Sequence, residues 1–488
     1  MTFFSQTSDK QRETRELRAA RATSASASFG VYLGHDAGGW QFVPPELSVM
    51  ILGPPRSGKT SGLIIPNVLA ANGPVVSTST KPDVVDATSA ARSQFGRCLL
   101  FDPTGSVAPT GDLQPLRWSP LQSSRSWEGA MTTARSLVQV AASSGSRGMV
   151  RPESSHWNER AQSMLAPLLY AAALEGADMR TVLTWVDRRK YLPAMTILAA
   201  TPGGIADLAA NALEGMAATD ERELSGIWST ASGALTGFRT EHALAVTVDP
   251  DFDAHRFAAS ADTIYICAPA HRQAQVAPLV VGLVEDVRNA AYQRAAGPGP
   301  DEPRRAPVLL ALDEVANIAP LPQLPSMISE GGGQGVVTLA SLQDLSQARQ
   351  RWPDEAEGFP SLFGCTVVLP GIGDVRTLEA LSTLAGDEEI AARSVSTGRA
   401  PSGHPVSDMV TGGRHHVGES ATTQWRRRLP VDLIARGSPG LALSFDDRNQ
   451  PSWIRLAPAH TVDPWKTLTE AGRAHRRQPR RLDQGIQR

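Results

Sequence analysis

The chain has 488 residues, of which 41% are hydrophobic and 20% charged, and its formal net charge is −2 at neutral pH. That length supports two or three domains with well-buried cores. Near-neutrality excludes a global field for polyanions, so any basic surface must be local. Cys98, Cys267 and Cys365 stand far apart with no CxxC or Cys/His cluster. This argues against a disulfide framework or a zinc site and makes a reducing cytoplasm the expected compartment. No apolar run approaches the ~18–20 residues of a membrane-spanning helix, and the N-terminus lacks the order of a signal peptide.

Residues 1–28 read as a flexible leader in which Arg12, Arg15, Arg18 and Arg21 fall at helical spacing. From 29 to 122 short apolar runs alternate with helical stretches. Leu47–Leu52 reads as a buried strand. Ser61–Gly73 reads as a helix interrupted at Pro66 and capped by Gly73. Gly73–Ser79 and Arg97–Pro103 read as further strands, the alternation of a mostly parallel sheet with helices on both faces. Strand signals vanish over 123–238, where alanine-rich helical periodicity predicts an all-α insertion. From 239 to 464 strands return at Ala243–Val248, Asp262–Pro269, Ala306–Val315, Gly335–Ser341 and Cys365–Gly371. Within that part, Arg393–Gln424 is poor in large apolar groups and reads as a long, mobile connection. Residues 465–488 form a basic tail.

Gly53-Pro54-Pro55-Arg56-Ser57-Gly58-Lys59-Thr60 fits the phosphate-loop pattern G-x-x-x-x-G-K-[ST], between a strand and a helix. There the main-chain N–H groups and the helix N-terminus, Ser61 included, would converge on phosphate oxygens. Lys59 would reach the β- and γ-phosphates and the Thr60 hydroxyl would bind Mg²⁺. The strand Val308–Leu312 leads into Asp313, the expected magnesium acid, and Glu314, the expected base for the attacking water. The adjacent glutamate and the lack of a guanine-reading NKxD favour an ATP-hydrolysing motor over a GTP switch. Gln343, just past the next strand, is the candidate γ-phosphate sensor. Arg376, after the following one, is a candidate arginine acting in trans on a neighbour's nucleotide. His415 and His416 offer no metal-site spacing.

These motifs, with "STSTKPDVVDAT", "LLFDPTG", "LRWSPLQ" and "HWNERAQSMLAPLLYAA", come in an order and spacing that resembles the type IV coupling proteins, the TraG/TraD-class ATPases of conjugation. The similarity runs from about Gly34 to Pro464. It implies a RecA-like P-loop motor of the α/β class with an all-α domain inserted after the third strand. It further implies hexameric rings that hydrolyse ATP with Mg²⁺ and pass relaxase-bound single-stranded DNA, or protein substrates, to a type IV secretion channel. Two departures stand out. The usual N-terminal transmembrane helices are not seen, which suggests a soluble variant, a separate membrane-anchoring partner or a truncated start, with the protein expected as peripheral at the inner face of the membrane. Ser79 and Thr80 also stand before Lys81 where the family carries an acid.

A translocase needs cations that neutralise phosphates without reading sequence. Candidates are Arg476, Arg477, Arg480 and Arg481 in the tail, and Arg426, Arg427 and Arg428 beside Trp425. Gly331, Gly332 and Gly333 within "EGGGQG" are candidates for a pore loop whose backbone shifts with nucleotide state. The rival readings are a double-strand translocase of the FtsK/HerA kind and an adaptor that binds ATP and delivers protein cargo.

Overall fold

The computed structural model describes residues 30–37, 39–145, 152–297, 306–400 and 414–470. The leader and the tail arginines 476, 477, 480 and 481 lie outside the described residues. Fourteen strands follow in order: Val31–Asp36 (β1), Gly39–Val43 (β2), Val49–Leu52 (β3), Val75–Ser79 (β4), Cys98–Phe101 (β5), Leu113–Pro115 (β6) and Thr263–Cys267 (β7). After these come Val308–Leu312 (β8), Val336–Leu342 (β9), Cys365–Val368 (β10), Asp387–Ala400 (β11), Arg414–Arg427 (β12), Leu441–Phe445 (β13) and Pro451–Arg455 (β14). Twelve of them form one sheet in the order β2-β1-β14-β13-β10-β3-β9-β8-β4-β7-β5-β6. From β10 to β6 all neighbours are parallel, while β13, β14, β1 and β2 extend the other edge antiparallel.

The parallel strands read as unbroken apolar runs because both their faces are covered. Alternation assigns the sides: Met50 and Leu52 pack into one core, Val49 and Ile51 into the other. The first core is shared with the helices Trp127–Gly145, Pro152–Glu175 and Gln273–Ala295. The second is closed by helices Ile65–Ala70 and Asp83–Arg92. Among the described residues no strand lies between β6 and β7, and helices run from Pro120 to Ala258.

Three expectations need correction. Ala243–Val248 is not a strand: Thr240 caps the helix Glu241–Ala245 by accepting from Ala243 N–H, and this local signal overrides the apolar alternation. Most of Arg393–Gln424 is not an irregular connection but belongs to β11 and β12, paired antiparallel from Asp387↔Arg427 to Ala400↔Arg414. A two-stranded ribbon closes its ladder without a buried face, so a scarcity of large apolar residues did not exclude it. Finally, the helix after the phosphate loop ends at Ala70, with Pro66 in the first turn of its α-helical part, where proline is tolerated. Gly73 is not its cap. A Cβ there would stand 2.6 Å from Pro307 O, so glycine is required by close approach of two backbones.

Candidate nucleotide-binding site

β3 ends in mid-sheet, and Gly53 adds one more bond, its N–H donating to Leu342 O at 3.1 Å, before the chain turns away. A Cβ at Gly53 would lie 2.7 Å from Ser57 Oγ, so the loop closes tightly only over glycine. Arg56 (φ 65°) and Gly58 (φ 97°) both take left-handed backbone. The helix then opens as a π-helical turn, Thr60–Ile64, with Gly62 N–H on Gly58 O at 2.8 Å. Nothing lies within 4 Å of a Cβ built on Gly58, which leaves the inner side of the loop open.

Lys59 is buried, its Nζ donating to the carbonyls of Gly53 and Pro54. Burial pulls its pKa down, and the charges of Glu314 and Asp313 partly restore it. Ser57 Oγ is buried without a hydrogen-bond partner, an orphaned donor within the loop.

Opposite, the strand order does the positioning. β9 lies between β3 and β8, so the end of β8 faces the phosphate loop across one strand. Thr60 Oγ1 donates to Asp313 Oδ2 at 2.6 Å, and Ser341 Oγ, at the end of β9, donates to Oδ1 at 2.5 Å. Thr78 Oγ1 fixes the Asp313 main chain, donating to its carbonyl at 2.9 Å. Glu314 takes a left-handed backbone (φ 54°) and its N–H donates to the same Ser341 Oγ at 3.1 Å. Its carboxylate accepts from Asn317 Nδ2 at 3.3 Å and from the Gln343 side chain. Burial raises the Glu314 pKa; Lys59 opposes that rise and Asp313 adds to it.

A cavity of about 870 Å³ opens between these groups, lined by the loop, Asp313 and Glu314. Its far wall carries Thr80, Lys81, Asp83, Asp86 and Thr110, and His460 closes one side. This lies within the range for small-molecule sites. The residues fit a triphosphate and magnesium: open main-chain curvature, an orphaned hydroxyl, a buried ammonium, and a hard-oxygen pair, Thr60 and Asp313, already in contact.

The structure thus brings together Gly53 to Ser61, Asp313, Glu314 and Gln343. Arg376 is apart. It is 68% exposed and ion-paired to Glu357 at 2.7 Å, and it does not line the cavity. Gly331–Gly333 lie at the opposite, N-terminal edge of the sheet, just before β9. A Cβ at Gly332 would stand 1.8 Å from Glu46 O, so close packing beneath β3 requires glycine there. Arg426, Arg427 and Arg428 are exposed at the base of the ribbon, Arg427 facing Asp387 at 3.4 Å and Arg428 donating to Gln450 at 3.0 Å. Sequence reasoning missed Ser341 and His460. A polar residue closing an apolar strand beside an acid was a usable signal for Ser341. His460 had none: it arrives because Ala459 N–H donates to Ser61 O at 2.8 Å, across 398 positions of sequence by subtraction of 61 from 459.

A phosphate loop after β3, an intervening β9 and an acidic pair after β8 define a P-loop fold of the RecA-like α/β class. The chain belongs to the family described as "Type IV secretory system Conjugative DNA transfer", whose model matches residues 5–410. It is 23% identical to conjugal transfer protein TraG of Escherichia coli over 417 residues, covering 79% of this chain and 63% of that protein. It is 26% identical to protein VirD4 of Agrobacterium fabrum over 368 residues, covering 72% of this chain and 51% of that one. The chain therefore spans less than two thirds of the length of these relatives. The solved conjugative coupling protein TrwB, unbound, superposes with a TM-score of 0.62 at 18% identity over 88% of each chain. TrwB in complex with ADP and Mg²⁺ gives 0.58 at 18% identity, over 86% of this chain and 87% of that one. The fold and family implied by the sequence motifs are those found. Among the described residues, no helix is long and apolar enough to cross a membrane.

Proposed function

We propose that this chain is an ATP-hydrolysing coupling protein that drives relaxase-bound single-stranded DNA, or a protein substrate, into a type IV secretion channel. The observation that carries the reading is the 2.6 Å contact of Thr60 with Asp313, 253 positions apart, beside Glu314 in one cavity. Thr60 and Asp313 would hold magnesium, which supplies charge neutralisation on the phosphates when bound. Lys59 would exchange its loop carbonyls for phosphate oxygens. Glu314, poised by Asn317 and Gln343, would orient a water and take its proton as the water attacks the γ-phosphorus. Gln343, beside that carboxylate, would pass the loss of γ-phosphate to the helix Leu345–Arg351. Family membership supports DNA and a secretion channel as partners, and supports an active homo-hexamer in which Arg376 would act on a neighbour's site. The helical run 123–238 would form an inserted domain between 29–122 and 239–464. A peripheral position at the inner face of the membrane, with a separate anchoring partner, completes the reading.

The test is phosphate release by purified protein with ATP and Mg²⁺, with single- or double-stranded DNA added. Wild-type protein is expected to turn over faster with single strands. Lys59→Ala and Glu314→Gln are expected to fall by about 10²–10⁴-fold, the usual contribution of a positioned proton acceptor or charge. Turnover undiminished in Glu314→Gln would sink the reading.

A further inference from the structure

The motif residues Trp118–Gln122 take no part in the nucleotide cavity. Trp118, Pro120 and Gln122 instead line a second cavity of about 820 Å³ that shares no residue with the first. It lies among the helices Pro120–Ser123, Trp127–Gly145, Ala254–Ala258 and Gln273–Ala295.

Two neighbouring carboxylates of the last helix face it, and they are held differently. Asp286 is anchored: Trp118 Nε1 donates to Oδ2 at 2.7 Å and Ser123 Oγ donates to Oδ1 at 2.5 Å. Trp118 is itself pressed onto Gly282, where a Cβ would lie 2.5 Å from the indole. Glu285, only 6% exposed, makes no ion pair. The Ser136 hydroxyl, 5% exposed, stands beside its carboxylate and has no other partner. The nearby cation is engaged elsewhere, since Arg288 donates to Asn289 Oδ1 and lies 5.9 Å from the Tyr292 ring centroid. A buried carboxylate without an ion pair, with a buried hydroxyl beside it, opens onto a roomy cavity.

An ionised carboxylate so buried is stable only with a counter-charge or a donor. The lining is acidic: Glu128, Asp253, Glu285 and Asp286 against Arg125 and His255. A metal ion fits poorly. Both Asp286 oxygens already accept hydrogen bonds, and no cluster of three or more His, Cys, Asp or Glu suited to a metal exists among the described residues. Leu137, Phe252, Ala254 and Ala290 add apolar wall, which suits a hydrocarbon stem. We propose that this cavity binds an organic cation, an ammonium or guanidinium on an alkyl stem, with Glu285 as its counter-charge and Ser136 as a further acceptor. The cation would come from a free polyamine or from a lysine or arginine of a bound peptide.

Isothermal titration of nucleotide-free protein separates these sources, using spermidine in one arm and an arginine tetrapeptide in the other. Saturable binding of either, weakened at least tenfold by Glu285→Gln, supports the proposal and names the source. Circular dichroism checks that this variant folds, and Ser136→Ala, which removes one hydroxyl, is expected to weaken binding several-fold. If neither probe saturates, or if both variants bind as the wild type does, the proposal is overturned.

Discussion

Glu314 combines a left-handed backbone with a carboxylate whose ionisation is disfavoured by burial. Non-glycine residues hold such a backbone only when their surroundings enforce it. Here Ser341 Oγ takes the Glu314 N–H while also holding Asp313, so a single hydroxyl aligns both acids. The folded-state pKa of Glu314 stands above its ordinary value of 4.5, so the fold favours the protonated form. That stabilisation is complete below the ordinary value and is lost as pH rises through the raised one. Once ionised, above that raised value, the carboxylate therefore destabilises the protein. Glu314→Gln is expected to raise the melting temperature at pH 7, with the gain shrinking toward pH 4.5, while phosphate release falls by about 10²–10⁴-fold. In the wild type, kcat is expected to fall on the acid side with an apparent pKa above 4.5, because the base must be ionised. Ser341→Ala is expected to lower kcat about 10-fold or more while leaving nucleotide affinity within a few-fold, since it orients the acids and does not line the cavity. Equal losses in kcat and affinity would contradict that role.

At the scale of elements, the adjacent glycines Gly332 and Gly333 before β9 serve different ends. The turn before it fits against Glu46 only because Gly332 lacks a side chain. Gly332→Val is expected to destabilise by at least ~1–3 kcal/mol through overpacking, seen as a lower midpoint in urea. Gly333, with nothing within 4 Å, is expected to tolerate alanine within ~0.5 kcal/mol. The ribbon of β11 and β12 is a separate matter, since neither strand joins the twelve-stranded sheet. At its base Trp425 is 73% exposed next to Arg426 and Arg428. If this base touches DNA, Arg426→Ala with Arg428→Ala should weaken binding of single strands of any sequence equally. It should also reduce the slope of log affinity against log salt by about 1–2. An unchanged slope would remove the ribbon base from the DNA path.

Over the whole molecule, the sheet order converts distant sequence into one site. Thr60, Thr78, Asp313 and Ser341 meet because β3, β4, β8 and β9 end side by side at the same edge. Ligands of open α/β sheets bind at those carboxyl ends. Nucleotide should therefore stabilise the fold as a unit. With ATP analogue and Mg²⁺ at 100 times Kd, the gain expected is ~2.7 kcal/mol, absent in Lys59→Ala.

The phosphate loop, the acidic pair and the central strands were legible from sequence because each is a local pattern: a turn that needs glycine, a run of apolar residues, a charge at its end. The strands β1, β2, β6, β13 and β14, outside the central parallel set, were not: β2, β6 and β14 have only partial cover, while β1 and β13 are largely buried but mix glycine or polar residues with their apolar ones. The helix at Glu241–Ala245 was hidden because one capping hydroxyl outweighed an alternating apolar pattern. Sequence by itself determined a tight, glycine-dependent loop at Gly53–Thr60 and two acids, Asp313 and Glu314, at the end of an apolar strand. Only the tertiary structure decided that β9 lies between β3 and β8, that Ser341 aligns the acids and that His460 closes the cavity. Those are contacts between backbones brought together by burial of apolar surface on both faces of a sheet, and no short stretch of chain encodes them.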